Sequence, residues 1–592
     1  MHLSPVSRQS PIHSLPVELL SHIFLLGAHS LPDTLEEDST TQELPLFNAE
    51  SVKTPLIYSA VCRHWRTVAH GTAALWTCIC ITIGSMQVAG PQKKHLDLLH
   101  ITSYLSLSRK YPLNILLDAR DPDWDFAEPE IPASSDFSDY VPPFTADDIR
   151  TIFSLLLPHL SRWQSIDILT DTWAPMHTAL CILDGPLMNK GAPLLQSLTL
   201  MRCNDYISHS PIFQPSNMKS PGLFSSFNYL EPNHLNLFPQ LRILTLRGVH
   251  VAWSSLALSH PSLTSLELSS HSSNIRPTQS EFRGLLNSCP KLRSLIVNGS
   301  GFVSDGEDLS LKTGIRNINK NVKPVLLLLL EELKIGYRSA LEGCDILDII
   351  YAPNTRHLSL EDATHPGEVD QVEADRLLLF IAGLHPSSIS ALKPAPLFPA
   401  IQKIVLKGVR AHTDTFRKLL LSIPHLQSLE LYQIPTLMDV IRAMLPIPTI
   451  HVSTKTTYQR LLSSRSASPG SSLTSFSPSS PCPRLQEFCI RAMNISQEDL
   501  RFIAKEWISG RSETGAGNLK RLDIHLFDST APAPADIEGV RIFQVPLDIE
   551  EEGDVALAHN TPEAQLDAEF QYGGMFNDPI FDAQYSPPMS SH

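Results

Sequence analysis

An apolar triplet with fixed internal spacing recurs through the middle and the carboxyl part of the chain. It consists of an apolar residue, two others, an apolar residue, one other and an apolar residue. The alternation in its second half predicts a short strand with one buried face. Most copies follow a proline by two residues, and stretches with helical apolar spacing lie between several of them. The triplets begin at Trp163, Leu195, Leu241, Leu263, Leu292, Leu330, Thr355, Ile401, Leu426, Leu485 and Leu519.

This unit of helix, proline, strand and loop resembles the LxxLxL core of leucine-rich repeats. The resemblance implies an irregular solenoid with a parallel sheet, because one unit cannot bury its apolar edge without its neighbours. From Leu195 onward, successive starts are 22 to 59 residues apart, and the consensus Asn after the triplet is present only as Asn298. Ordinary α/β structure with leucine-rich strands gives the same pattern, so both interpretations remain open at this stage.

Two stretches near the amino end have helical apolar spacing. The first, 14–24, has Ser14 where an N-cap is expected and Pro16 in the first turn, where a missing N–H is tolerated. Its apolar residues fit one broad stripe. The second, 61–69, is expected to be a single helix whose spacing places three residues on one face: Val61, Trp65 and Val68.

The residues Leu15-Pro16-x-Glu18-Leu19-Leu20-x-x-Ile23-Phe24, then Val61-Cys62-Arg63-x-Trp65-Arg66-x-x-Ala69 and Leu75-Trp76, resemble an F-box. More narrowly, they are similar to the F-box-like proteins of mushroom-forming fungi. The resemblance implies a three-helix module that docks on the Skp-type adaptor, and through it on the cullin, of an SCF-type ubiquitin ligase. Carried over by motif position, the adaptor-binding residues are Leu15, Pro16, Leu19, Leu20, Ile23, Val61, Cys62 and Trp65.

These patterns predict an α/β protein with five segments. They are 1–10, disordered; 11–81, the F-box-like domain with an acidic insertion at 28–54; 82–160, a connecting α/β segment with an acidic, proline-rich loop at 119–145; 161–527, the leucine-rich array with a serine-rich loop at 463–480; and 528–592, an acidic, mostly disordered tail. The serine-rich loop is expected to be a flexible surface segment, with a proline-directed phosphorylation switch as the alternative. The spacing Thr145-x-x-Asp148 predicts a capped helix start.

The charge of the chain is concentrated at its carboxyl end. Of the net −15, residues 528–592 carry −12, from 13 acidic residues and one arginine, and residues 1–527 carry −3. The nearly neutral body lacks the basic footprint of a nucleic-acid binder. The longest aliphatic run, 325–330, is too short for a membrane span, and no secretory leader pattern begins the chain. We therefore expect a cytoplasmic or nuclear protein.

No catalytic motif appears in the sequence: it contains no phosphate loop, nucleophile elbow, HExxH or CxxC. We therefore expect no catalytic residue, cofactor or metal site. The leading hypothesis is a ligase substrate receptor that holds an unknown protein substrate on its sheet; the alternatives are an interaction scaffold outside any ligase and an enzyme with an unrecognised site. Outward strand positions supply the candidate substrate contacts Arg242, Arg247, Glu267, Arg293, Lys334, Glu430, Lys520 and Arg521.

Overall fold

The computed structural model describes residues 12, 15–28, 50–88, 94–121, 143–203, 212–223, 238–256, 260–303, 323–364, 373–384, 396–445, 481–492, 495–508, 519–526 and 541–544. Several predicted segments lie wholly or mostly outside these residues and stay predictions. They are the amino-terminal 1–10, most of the insertion 28–54, most of the loop 119–145, the serine-rich loop 463–480 and all of the acidic tail except 541–544.

The described residues form a mixed α/β protein, as predicted. The α-helices are α1 Val17–Ala28, α2 Thr54–Val61, α3 Arg63–Gly71, α4 Leu99–Leu107, α5 Ala146–Leu156, α6 Trp173–Lys190, α7 Trp253–Leu256, α8 Gln279–Asn287, α9 Ala340–Ile349, α10 Asp375–Ile381, α11 Thr413–Ser422, α12 Leu437–Ala443 and α13 Gln497–Arg501. Shorter 3₁₀ turns occur at Glu50–Lys53, Ala73–Trp76, Ile83–Ser85, Leu157–Arg162, Ser216–Met218 and Ser273–Ile275, and a π-helical turn at Phe502–Trp507.

The strands are β1 Cys78–Ile81, β2 Met86–Val88, β3 Lys94–Leu96, β4 Leu113–Ala119, β5 Trp163–Thr170, β6 Ser197–Arg202, β7 Ile243–Arg247, β8 Ser265–Ser269, β9 Ser294–Asn298, β10 Val325–Leu326, β11 Glu332–Tyr337, β12 Ile350–Tyr351, β13 His357–Asp362, β14 Lys403–Lys407, β15 Ser428–Tyr432, β16 Glu487–Ala492, β17 Arg521–Leu526 and β18 Arg541–Gln544. The chain separates into two compact units, one within 1–325 and one within 326–553. The boundary falls inside the stretch 161–527 that the sequence pattern treats as one array.

The first unit is organised by a parallel sheet with strand order β1-β4-β5-β6-β7-β8-β9. The apolar triplets bring equivalent residues into register across neighbouring strands. One such row has exposed fractions of 3% or less: Ile115, Ile166, Leu198, Leu244, Leu266 and Leu295. A strand exposes alternate residues on opposite faces, so these rows form one apolar face of the sheet.

The second unit repeats this arrangement with the order β11-β13-β14-β15-β16-β17-β18, again all parallel. Its buried row has exposed fractions of 1% or less: Ile335, Leu360, Leu406, Leu431, Ile490 and Ile524. Strand β18 lies within the tail 528–592, which the sequence predicts to be mostly disordered. The predicted parallel sheet is therefore confirmed in each unit.

Main-chain hydrogen bonds join the strand ends in place of asparagine side chains. Five residues directly after strands have a positive φ: Gly248, Ser270, Gly299, Gly408 and Gln433. The amide of Gly248 donates to the Ser269 carbonyl at 2.9 Å, and that of Ser270 to the Asn298 carbonyl at 2.9 Å. In the second unit, Gly408 donates to Tyr432 at 2.9 Å and Gln433 to Arg491 at 2.8 Å. This backbone ladder explains why the consensus Asn can be missing.

Side-chain caps begin several helices, as the sequence predicts. Thr145 and Asp148 form a reciprocal capping box at the start of α5, in which the Thr145 oxygen accepts from the Asp148 amide and the Asp148 carboxylate accepts from the Thr145 amide. Each such cap stabilises its helix by about 0.5–2 kcal/mol.

In the part of the chain that the structure describes, no helix combines the length and the apolar character needed to cross a membrane.

Candidate docking surface

The first helix has one buried face and one exposed apolar face. Leu20, Phe24 and Ala28 recur every four residues and are at most 2% exposed. Leu19 and Ile23, four residues apart, are 53% and 49% exposed, and Leu26, three residues further, is 60% exposed. At helical spacing these three lie on one face. A helix in a small domain normally turns such residues inward, so the exposed face is available to a partner.

The buried face of α1 is held by an aromatic cluster. The Phe24 ring stacks on Tyr58 of α2, with centroids 4.3 Å apart, and its centroid lies 4.9 Å from that of Trp65 on α3. Gly27 lets the helices approach closely, because a Cβ there would overlap the Tyr58 hydroxyl. Burial raises the pKa of Tyr58. The orientation of α1, and therefore of its exposed face, is set by this cluster.

The prediction of a single helix over 61–69 is wrong. Val61 ends α2, and Cys62 is extended, with φ −161° and ψ 169°. The Cys62 sulfur accepts a hydrogen bond from the Trp65 amide at 3.4 Å and so caps α3. Val61 and Trp65 therefore lie on different helices. The predicted insertion also has structure at its edges, because Ala28 ends α1 and a 3₁₀ turn, Glu50–Lys53, leads into α2.

Helix α2 contributes a second exposed apolar pair. Ile57 is 59% exposed and Val61 is 56% exposed, and their spacing of four residues places them on one face. Val17, the first residue of α1, is 49% exposed but lies on the side of Leu20 and Phe24 and not on that of Leu19. We define the apolar face by these exposed residues of both helices: Leu19, Ile23, Leu26, Ile57 and Val61.

The eight predicted adaptor-binding residues divide into three groups. Pro16, Leu19, Ile23 and Val61 are exposed, and Leu15, Cys62 and Trp65 are half-buried. Leu20 is 0% exposed and belongs to the interior, so the structure removes it from the predicted surface. Two members of the apolar face were not among the predicted residues, although their helical spacing was a usable signal. Leu26 is three residues after Ile23, and Ile57 is four residues before Val61.

The sheet surface opposite the buried leucines is partly closed in the first unit. Arg242 and Arg293 precede β7 and β9 with exposed side chains, whereas Arg247 and Glu267 are half-buried within the strands. Thr245, which is Glu267's register partner, is only 1% exposed. Burial raises the pKa of Asp167, in the same row, to about 6. These four predicted residues therefore do not form one open surface.

The equivalent surface of the second unit carries closely paired charges. Lys334 pairs with Glu332 at 3.3 Å, and Glu430 pairs with Lys403 at 2.6 Å. Arg521 pairs with the buried Asp523, and Lys520 is exposed just before β17. The structure thus places Lys334, Glu430 and Arg521 on the same face of this sheet and Lys520 at its edge.

One group of possible metal ligands occurs among the described residues. Ligand atoms of Glu373, Asp375 and His412 lie within 4.8 Å of one another. The Asp375 carboxylate already accepts from the His412 amide at 3.1 Å and from its Nδ1 at 2.7 Å. These bonds tie α10 to the start of α11 and account for the cluster structurally.

The cysteines are free thiols, and burial raises the pKa of Cys80 and Cys203 to about 12, so both stay protonated at neutral pH.

Comparison with known proteins adds no family assignment: no protein-family model matches the chain, and a search of curated proteins finds no match.

Proposed function

We propose that this protein is the substrate-recognition subunit of an SCF-type cullin-RING ubiquitin ligase. The apolar face on α1 and α2 would bind a Skp-type adaptor, and the parallel sheet would bind a protein substrate. The observation that carries the proposal is the pair of adjacent residues Leu19 and Leu20, of which one is half exposed and the other fully buried. Among the described residues, a stripe of apolar side chains on the solvent side of a well-packed helix is available to a partner.

The energetics support a partner for this face. Fully burying one leucine, isoleucine or valine side chain contributes about 1.5–3 kcal/mol. About half of each side chain of the apolar face is still exposed, so covering all five contributes several kcal/mol. The buried core of a protein–protein interface is more apolar than the rest of the surface, which fits a face of this composition.

The chemistry in this proposal belongs to the assembled ligase. A receptor that holds the substrate beside the conjugating enzyme raises the effective concentration of the substrate's lysines, which converts a bimolecular encounter into an almost unimolecular one. The chain itself makes and breaks no bond. Its contribution is to fix two partners on two separate surfaces.

A pull-down with recombinant Skp-type adaptor tests the proposal. Wild-type chain should retain the adaptor, and the double variant Leu19→Asp/Ile57→Asp should lose it, because two charges would be buried without partners. Ile212→Asp is the matched control, since Ile212 is also 56% exposed but lies outside the apolar face. Adaptor binding that the double variant leaves unchanged, or that wild type lacks, contradicts the proposal.

Co-purification then separates the ligase from a scaffold that uses the adaptor alone. The proposal predicts that cullin and ubiquitin-transfer activity accompany the wild-type chain from cells and are absent with the double variant. Adaptor without cullin or activity would favour the non-ligase scaffold.

A further inference from the structure

The carboxyl-terminal row of the second sheet places an aromatic ring between two cations. The register aligns Glu361, Lys407, Tyr432, Arg491 and His525 across β13 to β17. Lys407 Nζ lies 5.6 Å from the Tyr432 ring centroid, and Arg491 Cζ lies 5.9 Å from it on the neighbouring strand. With one carboxylate against two permanent cations, this row has a net positive charge.

Ion pairs neutralise four of the five basic side chains on this face among the described residues. Lys334 and Lys403 pair with Glu332 and Glu430, Lys407 lies 4.0 Å from Glu361, and Arg521 pairs with Asp523. The fifth is Arg491, which has no carboxylate within 4.0 Å in the part of the chain described. Glu430 acts on Arg491 through its charge but is paired with Lys403, so Arg491 is the one basic side chain of this face, among the described residues, without an ion pair.

Arg491 is half-buried beside the Tyr432 ring. Burial opposes the charge of its guanidinium, but the neighbouring Cys489, Glu430 and Tyr432 outweigh burial and raise its pKa. A guanidinium has five N–H donors in a planar fork that matches a carboxylate or a phosphate. Glu487, the exposed carboxylate on the same strand, is four residues away, about 13 Å at about 3.3 Å per residue. It is too distant to occupy the fork.

We infer that Arg491 receives an anionic side chain, a carboxylate or a phosphate, of a peptide segment bound on this face, with the Tyr432 ring beside it. This inference rests on the proposed use of the sheet for substrate binding and names the class of substrate. The anion forms charge-assisted bonds to the guanidinium fork, and Lys407 adds attraction from the far side of the ring. A ring and a cation fixed by neighbouring strands offer a rigid site that needs little rearrangement.

Bead-bound degenerate nonapeptide libraries test the inference. Four libraries differ only in the central residue, which is phosphoserine, glutamate, glutamine or lysine, and each is incubated with the full chain. The glutamate or phosphoserine library should retain at least about tenfold more protein than the glutamine library, as expected for a charge-assisted bond. The stronger of the two identifies the source of the anion.

Two arginine variants make the test specific. Arg491→Gln should reduce retention on the anionic libraries to the glutamine level. Arg356→Gln, the same change at an exposed position before β13, should not. Equal retention on all four libraries by wild type, or an unchanged preference in a folded Arg491→Gln chain, overturns the inference.

The double variant that should not bind the adaptor distinguishes this result from the ligase proposal. Leu19→Asp/Ile57→Asp should still prefer the anionic libraries, because its changes lie in the other unit. If the wild-type chain does not bind the adaptor but prefers the anionic libraries through Arg491, the ligase role is excluded and the anion site is supported. If the wild-type chain binds the adaptor but shows no such preference, the anion site is excluded and the ligase role is supported.

Discussion

Phe24 and Tyr58 stack with their ring centroids 4.3 Å apart and their planes inclined by only 18°, which joins α1 to α2. Trp65 meets the Phe24 ring from α3, so one residue of α1 organises all three helices. The exposed apolar face lies on the outside of this cluster. The orientation of that face therefore depends on the packing of these three rings.

Replacing Phe24 with alanine should destabilise the helical module formed by α1, α2 and α3. We expect the local free energy of unfolding of α1 to α3 to fall by about 3–5 kcal/mol, because the change removes a buried ring and leaves a cavity. Hydrogen–deuterium exchange over 17–28 and 54–71 measures this loss. Leu26→Ala is the control and should change the same free energy by no more than about 0.5 kcal/mol, since Leu26 is 60% exposed. Similar protection in both variants would contradict the cluster's role.

Leu19 and Leu20 should respond oppositely to truncation. Leu20→Ala should reduce the unfolding free energy of the module by about 2–5 kcal/mol, whereas Leu19→Ala should leave it within about 0.5 kcal/mol. Adaptor affinity, measured by calorimetry, should fall for Leu19→Ala in chains that remain fully folded. An equally large loss of stability at both positions would show that the apolar face is internal.

Substitutions at two positive-φ positions should have different effects on the free energy of unfolding of the second unit. Gly408 has φ +63° and Gln433 has φ +45° at equivalent places after β14 and β15. Gly408→Ala should destabilise the second unit by about 1–2 kcal/mol, because a side chain in the left-handed region is strained. Gln433→Gly relieves that strain and should not destabilise the unit. Urea denaturation of both variants measures the difference, and a loss at Gln433→Gly equal to that at Gly408→Ala would refute this explanation.

The pair His412–Asp375 should depend on pH in a defined window. Its hydrogen bond and charge raise the pKa of His412 above 6.5, while bonds from Thr415 and His412 outweigh burial and lower the pKa of Asp375 below 3.8. The His412 contribution to stability is present below pH 6.5 and is lost as pH rises through the raised pKa. The Asp375 contribution is present above pH 3.8 and is lost as pH falls through the lowered pKa.

Imidazole titration by NMR checks this pair. Asp375→Asn should lower the pKa of His412 toward 6.5, because it removes the main cause of the shift. Glu373→Gln should move that pKa less, since Glu373 acts only through its charge at longer range. A larger effect from Glu373→Gln would mean that the hydrogen bond to Asp375 is not the main cause of the raised pKa of His412.

The sheet could be predicted from sequence because its signal is local and repeated. Each triplet alternates apolar and other residues, and Leu244 and Leu246 show how both apolar members reach 0% exposure once neighbours stack. The missing asparagines did not prevent a parallel sheet, because the backbone at Gly248 and Ser270 makes lateral bonds at the strand ends.

The break between α2 and α3 was harder to predict from the sequence. Residues 61–69 have continuous helical spacing, and nothing but Cys62 interrupts them; cysteine is not a preferred N-cap, so the stop was not visible. The start of α2 had a signal, Pro55 in the first turn, immediately after the presumed insertion 28–54. Leu19 and Leu20 are chemically identical neighbours, and only the packing of α1 on α2 and α3 decides which faces solvent.

The main-chain bonds after the strands also bear on how such a protein can change over generations. They require a backbone conformation that favours glycine, but they set no limit on the length of chain before the next strand. The step from Tyr432 to its register neighbour Arg491 spans far more sequence than that from Lys407 to Tyr432, yet the lateral bond is the same. Connections between strands can therefore be lengthened or shortened one at a time while the frame of strands is inherited unchanged.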